Sequence, residues 1–274
     1  MRVPEPGWTE RRVVVGGTSV FVRQGPEAPG RLPMVHVHGF AISGSYLMPT
    51  ARRLTDRGTQ LVPDLPGYGR SDGLGRALGI PALADTLVGL LDALELERVV
   101  LVGNSMGCPV SLEVAHLVPD RVDRIVLVAP AGGIQNQPLS RALGQMARDV
   151  ARESPRMFPV AIPDYLRFGP VNALHLFSEL TRFPSLERLL STPVPSLAVL
   201  GSRDPLMPAP SRVREVGRLA PEHVTVVLIE GAAHAVNFSH PGELAHVVRS
   251  WLDGRDIVDD PDEPGLTRVL RIGR

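Results

Sequence analysis

Residues Val99 to Gly107 read V-V-L-V-G-N-S-M-G, and no other stretch constrains the fold as strongly. Val99, Val100, Leu101 and Val102 are β-branched apart from one leucine. Such a run predicts a strand buried on both faces. It stops at Gly103, and helical spacing begins after Gly107. A strand, a G-x-S-x-G turn and a helix, in that order, predict a nucleophile elbow with its serine on a sharp turn at the head of a sheet. A side chain at Gly103 or Gly107 would crowd that turn. Ser105 is expected to project from the sheet edge with the backbone N–H of Met106 beside it. Without the strand and helix the same five residues would mark only a structural turn.

The rest of the chain supplies a frame for this turn. Arg12 to Val15 and Ser19 to Arg23 flank Gly16-Gly17 and predict a hairpin. Strands are expected at Pro33 to Val37, Gln60 to Val62, Arg124 to Ala129, Ser196 to Leu200 and Val224 to Ile229. Helices are expected at Ser45 to Arg57, Pro81 to Leu94, Pro109 to Val118, Ala209 to Leu219 and Gly242 to Asp253. Alternating strands and helices predict an α/β fold with a doubly wound, mostly parallel sheet. The alternation breaks between Pro130 and Pro195. That segment has helical character and is cut by Pro138, Pro155, Pro159, Pro163, Pro170 and Pro184, so several short helices are expected, among them Leu139 to Arg152 and Val171 to Phe183. A helical insertion between two sheet strands predicts a cap over the carboxyl ends of the strands, where open α/β sheets bind ligands. The division expected is a first core part at 1–130, a cap at 131–195, a second core part at 196–255 and a tail at 256–274. The tail is acidic through Glu263 and then basic, which predicts a partly disordered or surface-bound segment.

Composition narrows the function classes. The chain has 29 basic and 29 acidic residues, and all the basic ones are arginine. A balanced charge argues against a nucleic-acid surface, which needs a basic patch. No apolar run of about 18 residues predicts a membrane span. Met1 to Glu10 lacks the apolar core of a signal peptide. Cys108 is the single cysteine, so no internal disulfide forms, which fits a reducing cytoplasm. Inside the helix after the elbow, it is expected to pack rather than react.

A serine hydroxyl is a poor nucleophile at neutral pH. It needs a base, the base needs an orienting acid, and the oxyanion needs donors. The candidate base is His234 in Gly231-Ala232-Ala233-His234, directly after an apolar strand. As a lightly perturbed histidine it is expected to titrate at roughly 6 to 7.5. The candidate acid is Asp204 in Gly201-Ser202-Arg203-Asp204-Pro205, although a turn aspartate would suit the same sequence. The rival acid position, at the end of the preceding strand, reads Val128-Ala129-Pro130-Ala131 and holds no carboxylate. The candidate oxyanion donors are the backbone N–H groups of Phe40 and Met106. His36 and His38 have no third ligand near them in sequence, so packing or a loop hydrogen bond is expected rather than a metal site. No cofactor motif is present. Asp64 to Asp72 lacks the Gly-Lys-Ser/Thr of a phosphate loop and reads as a rigid loop pinned by Asp64, able to border the pocket.

His38-Gly39-Phe40, Asp64 to Asp72, Gly103 to Gly107, Gly201 to Asp204 and Gly231 to His234 together resemble the α/β-hydrolase fold superfamily, over about residues 10 to 254. The resemblance implies Ser105 as nucleophile, Asp204 as acid and His234 as base. Serine at the elbow disfavours the epoxide hydrolases and haloalkane dehalogenases, which use aspartate there. The Gly-Asn-Ser-Met-Gly elbow is similar to that of the carbon–carbon hydrolases of meta-cleavage products. Those enzymes carry a glycine-rich His-Gly-Ser-Gly-Pro-Gly loop where this chain has His38-Gly39-Phe40-Ala41-Ile42-Ser43. They also carry a tryptophan after the histidine where this chain has Ala235. The expectation is therefore a serine hydrolase of esters or related acyl compounds. It would take a small-molecule substrate with an apolar portion, among leucines, Phe158, Phe168, Phe177, Phe183, Met146 and Met157 of the cap. Carbon–carbon hydrolysis of a vinylogous diketone, or non-catalytic ligand binding, are the alternatives.

Overall fold

Alternate side chains of the central strands enter opposite cores. In strand β5 (Val99–Asn104), Val99 and Leu101 join one buried cluster while Val100 and Val102 join another. Strands β6 (Val122–Val128) and β7 (Ser196–Gly201) behave alike, with Ile125, Leu127, Ala198 and Leu200 on the first side and Val126, Val128, Leu197 and Val199 on the second. The period of two in a strand sends neighbours to opposite faces, so a sheet covered on both sides needs unbroken apolar runs. Helices α2 (Ile80–Ala93) and α3 (Gly107–Leu117) bury their apolar stripes in the first cluster. Leu54, at the end of α1 (Met48–Arg53), and Leu244, Ala245, Val247 and Val248 of α8 (Pro241–Leu252) enter the second.

The structure is a computed structural model that describes residues 7–73, 75–131, 136–207, 219, 223–259 and 269–271. Among the described residues the sheet has nine strands, in the order β1 (Thr9–Val15), β2 (Thr18–Gln24), β4 (Gln60–Asp64), β3 (Met34–Val37), β5, β6, β7, β8 (Val224–Ile229) and β9 (Val269–Arg271). Strand β1 pairs antiparallel with β2, and β2 pairs antiparallel with β4. From β4 through β3, β5, β6 and β7 to β8 all neighbours are parallel. The chain leaves β3 for β4 on one side and returns to β5 on the other. The crevice beyond the carboxyl ends of β3 and β5 is thus a topological switch point.

Among the described residues, four α-helices lie between β6 and β7: α4 (Leu139–Val150), α5 (Phe158–Phe168), α6 (Pro170–Arg182) and α7 (Ser185–Ser191). Their prolines mostly sit at helix starts, where the missing N–H is harmless. Pro163 departs from the expected pattern of breaks, since it lies inside α5. Both Pro163 and Pro159 are exposed, so water can take the carbonyl that Pro163 leaves unpaired. Hydrogen bonds tie the insertion to the core: Ser43 N–H donates to Asp164 Oδ2 at 2.8 Å and Ala77 N–H to Asn172 Oδ1 at 3.1 Å.

The helix expected over Ala209 to Leu219 falls, but for Leu219, outside the described residues. The tail adds an element that charge alone hid. Strand β9 (Val269–Arg271) pairs antiparallel with β8 and forms the edge of the sheet. Among the described residues, no helix is long and apolar enough to cross a membrane.

Candidate active site

The elbow is built by close approach of backbone. A Cβ added at Gly107 would lie 2.1 Å from the Val37 carbonyl oxygen, and one added at Gly103 would lie 2.4 Å from the Gly107 carbonyl oxygen. Only glycine fits either place. Between them Ser105 takes a φ of 54°, a left-handed conformation that side-chain-bearing residues rarely adopt. Its amide donates to the Val128 carbonyl at 3.0 Å, and its carbonyl accepts from Cys108 N–H at 3.0 Å. Cys108 is wholly buried and burial pushes its thiol pKa up, so it packs as a neutral group.

The loops after β3, β7 and β8 converge on this turn. The Asp204 carboxylate stands just past β7 and His234 past β8. Asp204 Oδ2 accepts from His234 Nδ1–H at 2.7 Å, and Asp204 Oδ1 accepts from the Leu206 amide at 2.8 Å. The side chains are 1% and 12% exposed, respectively. With Nδ1 so engaged, the opposite ring nitrogen, Nε2, is left to exchange a proton with the pocket. Ser105 and His234 line the same cavity of about 550 Å³, as do Gly39, Phe40 and Asn104. The amides of Phe40 and Met106 donate to no acceptor among the described residues.

Two elements missed from sequence complete the wall. Tyr46 accepts from the Gly39 amide at 2.8 Å and donates a short hydrogen bond to Asn104 Oδ1. Asn104 Nδ2 donates to Val128 O at 3.1 Å and more weakly to His234 O at 3.4 Å. From the insertion, Asp149 and Glu153 also line the cavity. Glu153 Oε1 accepts from the Ala235 amide at 2.6 Å. The spacing of four residues places Asp149 and Glu153 on one side of a helical turn, but no sequence signal turns that side inward.

These carboxylates set the electrostatics. Burial works against a charged His234 ring, yet the Asp204 carboxylate, with Asp149 and Glu153 behind it, outweighs burial and raises its pKa to about 9. That lies above the range expected from sequence because three carboxylates face one imidazole. Burial raises Asp149 to about 7 and raises Glu153 as well.

Other expectations meet different fates. His36 Nε2 bonds Gln60 Oε1 at 2.7 Å, and burial lowers its pKa to about 4. His38 Nε2 accepts from the Leu65 amide at 2.9 Å, while Nδ1–H donates to Gly39 O at 2.8 Å. Both histidines serve the loops. Among the described residues, no group of three or more His, Cys, Asp or Glu side chains is placed to hold a metal ion. Asp64 does pin its loop, accepting from Gly44 N–H at 2.8 Å, Arg23 Nη1 at 2.7 Å and Arg70 N–H at 2.9 Å. No described residue of that loop reaches the cavity. Of the apolar residues named from the insertion, Phe158, Phe177, Met146 and Met157 line it, and Phe168 and Phe183 do not. Phe168 instead stacks on Tyr68.

A doubly wound sheet with a strained serine turn and an acid-held histidine at its carboxyl edge is the arrangement of a hydrolase scaffold. The family model described as "Alpha/beta hydrolase family" matches residues 34–247, and the chain belongs to that family. A pimeloyl-[acyl-carrier protein] methyl ester esterase of Pectobacterium carotovorum is 28% identical over 244 residues, 78% of this chain and 92% of that protein. An uncharacterized protein of Mycobacterium tuberculosis is 36% identical over 98 residues, and the match spans only 28% of that longer relative. Among solved structures, a bacterial membrane phospholipase A superposes with a TM-score of 0.77 at 22% identity, over 90% of this chain and 86% of that one. At that identity the likeness concerns the fold alone.

Proposed function

We propose that this hydrolase cleaves an ester or related acyl compound through an acyl-enzyme, with Ser105 as nucleophile, His234 as base and Asp204 as the orienting acid. The carrying observation is the 2.7 Å bond from His234 Nδ1–H to Asp204, in the wall of the cavity that Ser105 also lines. Ser105 Oγ attacks the carbonyl carbon while its proton passes to His234 Nε2. The carbonyl oxygen becomes an oxyanion, received by the free amides of Phe40 and Met106. Collapse breaks the bond to the leaving oxygen, which takes the proton from Nε2. Water then repeats the sequence on the acyl-enzyme and frees the acid. The helical insertion acts as a cap whose Met146, Phe158, Ile162 and Leu166 give the substrate's apolar portion a surface.

An ester substrate accords with the methyl ester esterase among the relatives. A ring-fission dienoate carries a carboxylate and wants an inward arginine. Arg141, Arg148, Arg152, Arg156, Arg167 and Arg182 are all exposed, and Arg188 is held by Glu113 at 2.9 Å. The described cavity lining contains no arginine and two carboxylates instead. A cytoplasmic location goes with this reading, since the single buried cysteine calls for no oxidising compartment. The test is a panel of p-nitrophenyl acyl esters of graded length beside a dienoate, with a Ser105→Ala control. Ester turnover lost in S105A is the expected result. A dienoate preference of about 10³ in kcat/KM would overturn the ester reading.

A further inference from the structure

Asp149 and Glu153 stand out because they lack the partners that buried carboxylates usually have. Asp149 is 8% exposed. Neither makes an ion pair with an arginine among the described residues. Arg152, between them in sequence, turns outward and donates to the Arg203 carbonyl at 2.8 Å. Asp149 Oδ1 and Glu153 Oε2 are buried and unbonded. Glu153 Oε1 accepts from the N–H of Ala235, next to His234 in the chain, at 2.6 Å, and Asp149 lines the same cavity as His234. One carboxylate of the insertion therefore holds the core loop that carries the histidine, and a second stands in the same cavity wall.

The charged and titratable groups around that histidine come from four elements. Asp204 follows β7, Asp149 and Glu153 belong to α4 and the turn after it, Tyr165 lies on α5, and Tyr46 precedes α1. Burial raises both tyrosines, so neither is anionic below about pH 10. Among the described residues of the cluster, the group able to become a cation is the imidazole itself. A buried negative charge without a counter-ion is unfavourable, and an imidazolium formed here would supply one.

Resting on the hydrolase reading above, we propose that Asp149 and Glu153 are positioning residues for His234: from the insertion Glu153 holds its loop, and the two carboxylates together favour its imidazolium form. In the acyl-transfer step the proton leaving Ser105 Oγ arrives at His234 Nε2, and the positive charge so created faces three carboxylates rather than one. The same arrangement ties ring protonation to the charges of the insertion as well as to Asp204. It also makes the base depend on the insertion being seated, because Asp149 and Glu153 arrive from there and only Asp204 from the core.

The experiment follows the His234 ring directly in the full chain, by NMR titration of protein labelled at histidine, with His234→Asn to assign its resonance. Asp149→Asn and Glu153→Gln keep shape and remove charge. Each is expected to lower the His234 midpoint by about one pH unit, and the acid limb of kcat/KM for an acyl ester should move down with it. Glu153→Gln keeps an acceptor for Ala235 N–H, whereas Glu153→Ala removes it, so kcat should fall at least about tenfold further in the alanine variant. An unmoved midpoint in both isosteric variants would overturn the proposal, as would equal kcat in E153Q and E153A. Should one isosteric variant fail to fold, the other carries the titration. The hydrolase reading fails by a different result, full ester turnover in S105A, which leaves the ring titration readable.

Discussion

The hydroxyl of Tyr46 donates a short hydrogen bond to the side-chain oxygen of Asn104, the residue immediately before Ser105. The same hydroxyl accepts from the Gly39 amide at 2.8 Å, the residue immediately before Phe40. One buried phenol thus braces the nucleophile turn against the loop that carries an oxyanion donor. Tyr46→Phe strands a buried donor and a buried acceptor, at about 1–3 kcal/mol for each group left unpaired. The variant should melt earlier, and kcat should fall by roughly 10- to 100-fold through displacement of the loop after β3. Parent-like kcat in a destabilised Y46F would show that the brace serves folding alone.

Asp204 divides its carboxylate between His234 and the Leu206 amide. Asp204→Asn can keep the second bond while offering His234 an amide, which permits the wrong tautomer. The fold should survive and kcat should drop by about four orders of magnitude, the loss that the same aspartate-to-asparagine change causes in a serine protease triad. Near-parental turnover would transfer the acid role to Asp149 or Glu153.

A base must be neutral to accept the serine proton. With His234 raised to about 9, kcat/KM should climb between pH 7 and 9 instead of levelling near neutrality. Stability should run the other way. A histidine whose pKa rises from 6.5 to about 9 on folding contributes stability below 6.5 that is lost as pH rises through 9. Asp149, raised from 3.8 to about 7, binds its proton more tightly when folded, so its contribution is lost as pH rises from 3.8 through 7. Melting curves from pH 5 to 9 should therefore shift downward for the parent, and less so for H234N. A flat rate profile from pH 7 to 9 for a chemistry-limited ester would contradict the histidine's assigned state.

Phe40 offers a backbone donor and a packing side chain, and the two can be separated. Its ring lies 5.8 Å from Phe168 and 5.3 Å from Phe177, centroid to centroid. Phe40→Ala should lower stability by about 3–5 kcal/mol through the cavity it leaves, yet retain substantial kcat because the N–H remains. Phe40→Pro removes the N–H and should lose roughly 10² to 10³ in kcat where the variant still folds. Equal loss in the two variants would place the ring, not the amide, at the reaction.

Features under local chemical control are legible in the chain's order of residues. Apolar runs buried on both faces specify the parallel strands, and Gly103 and Gly107 specify the tight turn at Ser105, because each replaces a Cβ that backbone would strike. Asp204 and His234 were legible because each follows directly on an apolar strand, and parallel strands deliver their following loops to one edge. Features that depend on side-chain direction across distant segments emerge only once the chain is folded. The face that α4 turns toward the core decides that Asp149 and Glu153 meet the His234 loop, and their charges then carry its pKa beyond the range expected of a lone histidine. The Tyr46 brace spans 58 residues of chain to Asn104, and the edge pairing of Val269–Arg271 with β8 joins a charged tail to the sheet. Neither leaves a periodic or compositional mark, since a single long-range hydrogen bond or a three-residue strand orders too few neighbours to shape the local pattern.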